Sequence, residues 1–432
     1  MKENPTKMKR SVSIIIPLML FSSVHMAQIS DTLTLFECHR SAIETHPLHV
    51  QKDLYLQSKE LNQKNHTANW YPSLDLNGKY TWQSEVVQLP FADMLTGFEK
   101  PSMPHYNYKL TLDVQQTLYD GGMSRKGKEL EEALFEVNQQ KVEVNLNQLK
   151  GQVNKVFFYI LVLQQQEKTL QLKHKELGER ISSMESLVRN EAILATDVNV
   201  LKAEGLKVEQ QLAEISISLN SAMAVLRDLT SLEIDEKTVL NLPTGDIDPG
   251  SDAVLPEQLL FDKQIRNLDA SIGLTERQRY PKAFVFGQLG YGNPALDFFR
   301  DEFRGYYIVG AGLQWKIWDW SKTGRDKQVL AVQQDIIRSQ KEAFDKNLNI
   351  QLEELMAGII KYEEAVNRDI EILELRKEIT RSSISQLENG VITSTEYITQ
   401  LNAETQARIQ LDLHRIQLEQ SRINYLTGKG II

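Results

Sequence analysis

Tyr106-Asn-Tyr-Lys-Leu-Thr-Leu-Asp-Val-Gln-Gln-Thr-Leu-Tyr-Asp-Gly-Gly122 is the stretch whose reading decides the fold. Tyr106, Tyr108, Leu110, Leu112, Val114 and Leu118 oppose Asn107, Lys109, Thr111, Asp113, Gln115 and Thr117. A period of two marks a strand with one apolar and one polar face. After Gly121-Gly122 the period becomes helical. Val142, Leu146, Leu149, Val153, Val156, Ile160 and Leu163 keep a 4-3 rhythm, which Leu170, Leu177, Ile181, Met184 and Val188 continue, with Glu167 and His174 on the same seam. That is a coiled-coil seam, and a helix over 123–188 is roughly 100 Å long at about 1.5 Å per residue.

Upstream, Leu74, Leu76, Gly78, Tyr80, Trp82, Ser84 and Val86 alternate with Asp75, Asn77, Lys79, Thr81, Gln83 and Glu85. This predicts a strand over 71–88 to accompany the one over 106–119. Each run exceeds the roughly 9–11 residues that cross a bilayer as a tilted strand. Tyr71, Trp82, Tyr106, Tyr108, Tyr119, Tyr291, Tyr306, Trp315 and Trp318 cluster toward strand ends, as in the interfacial girdles of membrane barrels. A water-soluble sheet with one solvated face also alternates. Downstream, Val198, Leu201, Gly205, Val208, Leu212, Ile215, Leu219, Ala222, Leu226 and Leu229 predict a second helix, 196–230, antiparallel to the first.

The whole pattern occurs twice. Pro47/Pro256, Tyr71/Tyr280, Pro72/Pro281 and Gly78/Gly287 recur at a separation of 209. Farther on the separation is 199: Gln115/Gln314, Leu118-Tyr119-Asp120 against Ile317-Trp318-Asp319, and Asn190, Thr196 and Asp197 against Asn389, Thr395 and Glu396. A shorter loop in the second copy accounts for the drop. The expected division is a first repeat, 28–231 (helix 32–69, then the elements above), a linker, 232–255, and a second repeat, 256–432. The second repeat holds helix 256–278, strands 281–292 and 306–318, and helices 323–387 and 395–427. Its first strand is less regular, because Phe284 and Phe286 occupy polar positions. The segment Leu242-Pro-Thr-Gly-Asp-Ile-Asp-Pro-Gly250 is turn-rich and is expected to bulge at the equator of a helical tube.

Lys2, Lys7, Lys9 and Arg10 precede an apolar run from Val12 to Phe21, and small and polar residues follow to Ala27. That is the layout of a signal peptide over 1–27. Its removal leaves 45 Lys and Arg against 57 Asp and Glu, a net charge of −12, which disfavours nucleic acid as a partner. No other stretch approaches the roughly 18 apolar residues of a membrane helix, so entry into a membrane requires a closed barrel. One chain supplies four strands, too few to close one without bare edges in lipid. Three chains would supply twelve strands with room for a water-filled lumen, whereas eight are filled by side chains.

At this point the residues resemble the TolC-like outer-membrane efflux family over nearly the whole mature chain. Leu33-Thr-Leu-Phe-Glu37-Cys-His-Arg-Ser-Ala42-Ile-Glu-Thr-His46-Pro47 is similar to the family's first-helix signature, with His46 in place of the usual Asn. Tyr71-Pro72, Gln116-Thr-Leu-Tyr-Asp-Gly-Gly122, Tyr280-Pro281 and Trp315-Lys-Ile-Trp-Asp319 resemble its strand-entry and strand-exit motifs. The resemblance implies a mixed α/β membrane protein: a homotrimeric 12-stranded β-barrel continued by an antiparallel α-helical coiled-coil tunnel across the periplasm of a Gram-negative bacterium. It implies a passive exit duct of a tripartite efflux or type I secretion system, passing drugs, toxic compounds or proteins. Its partners would be outer-membrane lipid, a periplasmic adaptor and an inner-membrane pump of the RND, ABC or MFS type.

On that resemblance the adaptor-contact tips are Asn190, Glu191, Ala192 and Ile193, with Asn389, Gly390, Val391 and Ile392. Family gates place carboxylates after the second tip; Glu396 matches the first and Thr399 stands at the second, with Asp197 the equivalent of Glu396 in the first copy. The Tyr and Arg that lock the tip in some members are replaced by Leu387 and Ile392. A Glu at this place is also what the start of any helix favours.

No nucleophile with its base, phosphate loop or zinc signature stands out, so neither an enzyme nor a cofactor is expected. Paired carboxylates such as Glu131/Glu132 and Glu353/Glu354 read as solvated helix faces. His46 and His49 are three apart and His39 a heptad earlier, a spacing to weigh as metal ligands, but Pro47 breaks their helix and no shell is completed. Cys38, the lone cysteine, reads as a small buried residue. Two rival classes are a periplasmic adaptor, which also carries a helical hairpin, and a structural coiled-coil scaffold. Neither accounts for a duplicated hairpin flanked by membrane-length amphipathic strands.

Overall fold

The computed structural model describes residues 32–86, 104–190, 193–245, 253–298 and 300–432; the expected signal peptide lies outside them. Thr34 opens the first helix with a capping box: its hydroxyl accepts from the Glu37 N–H, and the Glu37 carboxylate accepts from the Thr34 N–H at 2.9 Å. Helix α1 spans Leu35–Thr45 and α2 spans Leu48–Ala68, so the single helix expected over 32–69 is divided. Pro47 causes the division. It has no N–H to donate, and it forces His46 into an extended conformation, φ −67° and ψ 134°.

Strands β2, Ser73–Trp82, and β3, Tyr106–Tyr119, follow, then α3, Met123–Arg189, and α4, Ala195–Thr230. After a linker come α5, Pro256–Arg277, β5, Lys282–Asn293, and β6, Arg304–Gln314. The chain ends with α6, Lys322–Glu388, and α7, Ser394–Gly428. The long helices α3 and α6 have 67 residues each. Strand β6 stops short of the predicted residue 318. From Trp315 the backbone leaves the ladder, and the Trp315 indole N–H donates to the Arg279 carbonyl at 3.1 Å instead.

Helices dominate and the sheet is small. Its four strands run β2-β3-β5-β6, all antiparallel, with β2 and β6 at the edges. A separate two-residue parallel pair joins β1, Thr32–Leu33, to β4, Val239–Leu240. Gln164 of α3 fastens this linker: its amide donates to the Thr238 carbonyl at 2.8 Å and its carbonyl accepts from the Leu240 N–H at 3.3 Å. Farther along, the Gly245 N–H donates to Glu419 of α7 at 3.1 Å. The rest of the turn-rich segment, 246–250, is outside the described residues.

Helix α3 packs against α4, α2, α5 and α7, and α6 packs mainly against α7. Val142, Leu146, Leu149, Val153, Ile160, Leu163, Leu170, Leu177 and Met184 are all buried, as a 4-3 seam requires. One core cluster joins α1, α3, α4, α7 and the linker around Val153, Phe157, Ile160 and Leu226; a second lies toward the helix ends around Leu177, Leu201, Val208 and Tyr397. Helix α6 buries Ile359, Leu373 and Leu387 at heptad spacing, while Val329, Val332, Ile336, Ile350, Ile360, Leu375 and Ile379 stand exposed on that helix.

Candidate functional site

The sheet sorts most of its side chains into two faces, with departures at Phe284, Phe286 and Ile308 on the polar side and Gln116 on the apolar side. Cross-strand pairs Leu74↔Val114, Leu76↔Leu112, Gly78↔Leu110 and Tyr80↔Tyr108 continue into β5 and β6 through Leu112↔Leu289, Leu110↔Tyr291 and Leu289↔Tyr307. Partners in register share a face. One face is therefore apolar from edge to edge, and it is exposed: Leu74, Leu76, Tyr80, Leu289, Val309 and Leu313 cover no core in the single chain. An apolar sheet face of this extent needs another apolar phase against it.

The opposite face carries Asp75, Asn77, Lys79, Lys109, Thr111, Asp113, Gln115 and Gln288. Asp113 is its hub, accepting from Asn77 at 2.7 Å, from Thr111 at 2.9 Å and from Gln288. Phe284 and Phe286, the aromatics that disturbed the alternation, also point to this side, opposite Gly312 and Gly310. Their rings lie over those glycines. A Cβ on Gly310 would fall 2.6 Å from the Phe286 ring, and one on Gly312 2.3 Å from the Phe284 ring. Tyr306 covers Gly290 in the same way, at 2.1 Å. The rings are thus folded against backbone on the polar face and do not belong to the apolar one.

Both strand exits are built around an aspartate. Asp120 accepts from the Gly122 N–H at 2.8 Å and the Ser124 N–H at 2.6 Å, while Asp319 accepts from the Thr323 N–H at 3.0 Å and from its hydroxyl. Each carboxylate satisfies otherwise unpaired donors at the start of a 67-residue helix. Burial alone would raise the Asp120 pKa, but these hydrogen bonds outweigh it and hold the carboxyl below its ordinary value. Gly121 and Gly122 have φ of +73° and +83°, and the equivalents in the second half, Trp320 and Ser321, adopt 53° and 58° despite their side chains. The sequence motif Asp-Gly-Gly is the local recipe for this turn.

At the far end of the helices the two expected tips come together. Ile193 of the first and Ile392 of the second pack on one cluster with Leu177, Met184, Leu201, Leu387 and Tyr397. Glu191 and Ala192 lie outside the described residues. Asn190 caps α3 by donating its N–H to the Ser186 and Leu187 carbonyls. Asn389 and Gly390, with φ +68°, end α6, and Val391 is exposed. Asp197 sits in the first turn of α4, and Thr399 donates its hydroxyl back to the Thr395 carbonyl at 2.9 Å.

Glu396 is exposed but engaged. Its carboxylate accepts from the Thr393 N–H at 2.8 Å and hydroxyl at 3.0 Å, and the Thr393 hydroxyl accepts from the Glu396 N–H at 3.3 Å. This capping box holds its carboxyl below the ordinary value, the backbone hydrogen bond contributing most.

Sequence reasoning missed the polar ties across the tip. The Tyr397 hydroxyl, on a fully buried side chain, donates to Glu176 of α3 at 3.0 Å, and Arg180 of α3 reaches Glu388 of α6 at 2.6 Å. Burial and the Glu176 charge push the Tyr397 pKa up, so it stays a donor. Deeper in, Lys173 of α3 pairs with Glu204 of α4 at 2.6 Å and also meets Asn402 of α7. All of these residues fall at helix positions where a charge reads as solvated, and only the neighbouring helix shows otherwise. The histidines do not converge. His39 bonds to Asn154 at 2.7 Å and burial lowers its pKa, while His46 accepts from the Leu48 N–H at 3.2 Å. Among the described residues, no group of three or more His, Cys, Asp or Glu is placed to hold a metal. Burial raises the Cys38 thiol to about 12.

Residues 41–231 match the profile of the family described as outer membrane efflux protein. No curated protein matches the sequence. Among solved structures, the outer membrane protein VceC from Vibrio cholerae is similar at a TM-score of 0.67 and 12% identity, covering 92% of this chain and 96% of its own. The Campylobacter jejuni outer membrane channel CmeC is similar at 0.66 and 12% identity, over 92% of this chain and 85% of its own. The open state of the Neisseria gonorrhoeae outer membrane channel MtrE gives 0.61 at 15% identity, over 92% and 89%. At such identities these likenesses establish the fold, and the profile match supplies the family signature. The chain thus bears the signature of the outer membrane efflux protein family on residues 41–231 and shares, over more than nine-tenths of its length, the fold of these solved outer membrane proteins.

Proposed function

We propose that three copies of this chain join their four-stranded sheets into a 12-stranded barrel in the outer membrane, and that the helices continue the barrel as a tunnel through the periplasm. The chain is a passive exit duct of a tripartite efflux or type I secretion system and performs no catalysis itself. One observation carries this reading: the sheet has an apolar face, a hydrogen-bonded polar face and, among the described residues, two edges without a partner strand, β2 and β6. Bare strand edges are untenable in lipid, and pairing β6 of one chain with β2 of the next removes them. The exposed apolar residues of α6 fit the same account, since neighbouring chains would cover them.

The same reading makes the chain one unit written twice, 28–231 and 256–432 about the linker 232–255. Its support is the matching pair of 67-residue helices, each started by an aspartate at an equivalent turn. Residues 190–193 and 389–392 are the contact points for a periplasmic adaptor beneath an inner-membrane pump. Three Glu396 carboxylates would line the tip opening, with Asp197 and Thr399 nearby.

Cell fractionation tests the reading. The intact protein should sediment with outer membranes and resist extraction by salt, and a variant lacking residues 74–118 should not insert. Recovery of that variant in the outer membrane would count against the barrel.

A further inference from the structure

The polar face of the sheet is zoned by charge, and the zoning follows the strand register. Lys79 of β2 lies opposite Lys109 of β3, Lys109 lies opposite Gly292 of β5, and Gly292 lies opposite Arg304 of β6. Three cations therefore occupy a single row that crosses the entire sheet. Four residues nearer the helices along β2, Asp75 lies opposite Asp113 and Asp113 opposite Gln288. The two rows are about 13 Å apart at roughly 3.3 Å per residue.

The two rows are treated differently by their surroundings. Asp113 is satisfied by Asn77, Thr111 and Gln288, so the acidic row is knitted into the wall. Lys79 and Lys109 are both exposed, and among the described residues neither makes a contact ion pair, although the Lys109 charge is felt by Asp113. The Lys109 ammonium stands 5.6 Å from the centroid of the Tyr306 ring, and Arg304 meets Glu302 at 3.4 Å on exposed side chains. Like charges directly opposite each other on adjacent strands are unfavourable, and nothing in the row relieves the Lys79–Lys109 pair. The third strand contributes no side chain there, because Gly292 is held to glycine by the Tyr108 carbonyl, 2.4 Å from where a Cβ would be.

We propose that Lys79, Lys109 and Arg304 form an anion-attracting collar in the outer half of the lumen, so that solutes bearing phosphate, sulfonate or carboxylate groups are drawn to the exit. The collar rests on the channel reading above, since closing the barrel is what brings three such rows around one lumen. Because barrel strands tilt, each chain's three cations form an oblique arc, and three arcs between low-dielectric walls focus their field. The row faces water, so its effect is screened by salt and strongest at low ionic strength.

The test is single-channel recording of the purified full-length protein in planar bilayers under a potassium chloride gradient. The reversal potential gives the chloride-to-potassium permeability ratio. The double variant K79Q/K109Q should conduct, with that ratio reduced roughly threefold or more at low salt. K79R/K109R should keep the wild-type ratio, and D75N should shift it the opposite way. Inorganic pyrophosphate added on the hairpin side should reduce wild-type current and leave K79Q/K109Q current unchanged. Conductance with the same ratio and the same pyrophosphate response in wild type and K79Q/K109Q overturns the collar while leaving the channel intact. Failure of every form to conduct overturns the channel reading and the collar with it.

Discussion

At the scale of single residues, the strongest constraints are places where a ring or a turn leaves no room for choice. Phe284 and Phe286 interrupt the alternation of β5, and from sequence they look like noise in a strand. In the sheet they are one half of two aromatic–glycine pairs with Gly312 and Gly310. No single-strand pattern can reveal this, because the partner glycines are on another strand. Gly310→Ala and Gly312→Ala should each cost about 1–3 kcal/mol by forcing the covering ring aside, read as a lowered thermal unfolding midpoint. The place of the Asp-Gly-Gly turn was legible from the switch of period after Gly122, though the Asp120 hydrogen bonds and the positive φ angles were not. Its counterpart was not, for Trp320 and Ser321 adopt left-handed φ without glycine's freedom. Ser321→Gly should therefore stabilise the fold by about 1 kcal/mol, raising the denaturation midpoint.

Among the elements, the long helices are specified by their seams and tied together by a few polar contacts. The 4-3 seam of α3 was readable because a coiled coil writes its burial into its period, and the buried residues follow it. The ties of Lys173, Glu176 and Arg180 were not readable, because each partner is on a different helix. Lys173→Met leaves the largely buried Glu204 carboxylate without its cation and should cost about 3–5 kcal/mol, whereas Lys173→Met with Glu204→Leu should recover most of the loss in a thermal melt. At the tip, Tyr397→Phe removes the bond to Glu176 and should cost about 1.5 kcal/mol, seen as faster amide exchange in the first turns of α7. The start of α7 should also depend on pH. Glu396 titrates below its ordinary 4.5 in the folded chain, so its capping contribution is complete above that value and is lost as pH falls through the lower, folded value. Glu396→Gln should abolish this step in the exchange of α7 while leaving α4 unchanged.

For the whole molecule, the proposed closure rests on what a single chain leaves open. Among the described residues, nothing covers the apolar sheet face, β2 and β6 each pair on one side only, and an apolar series on α6 is exposed. The sequence announced the strands, their two faces and the helical hairpins. Closure between chains left no mark in the periodicity, since a strand edge has the same alternation whether it is paired or bare. Closure is tested most directly by covalent linkage across the proposed seam. In a Cys38→Ser background, single cysteines are placed along edge strands β2 and β6 in pairwise combination, expressed in cells and oxidised. The account predicts that some pairs link chain to chain in the membrane fraction, with a ladder of one, two and three chains and nothing beyond. A protein that stays uncrosslinked and water-soluble for every pair, or a ladder that continues past three, would contradict it.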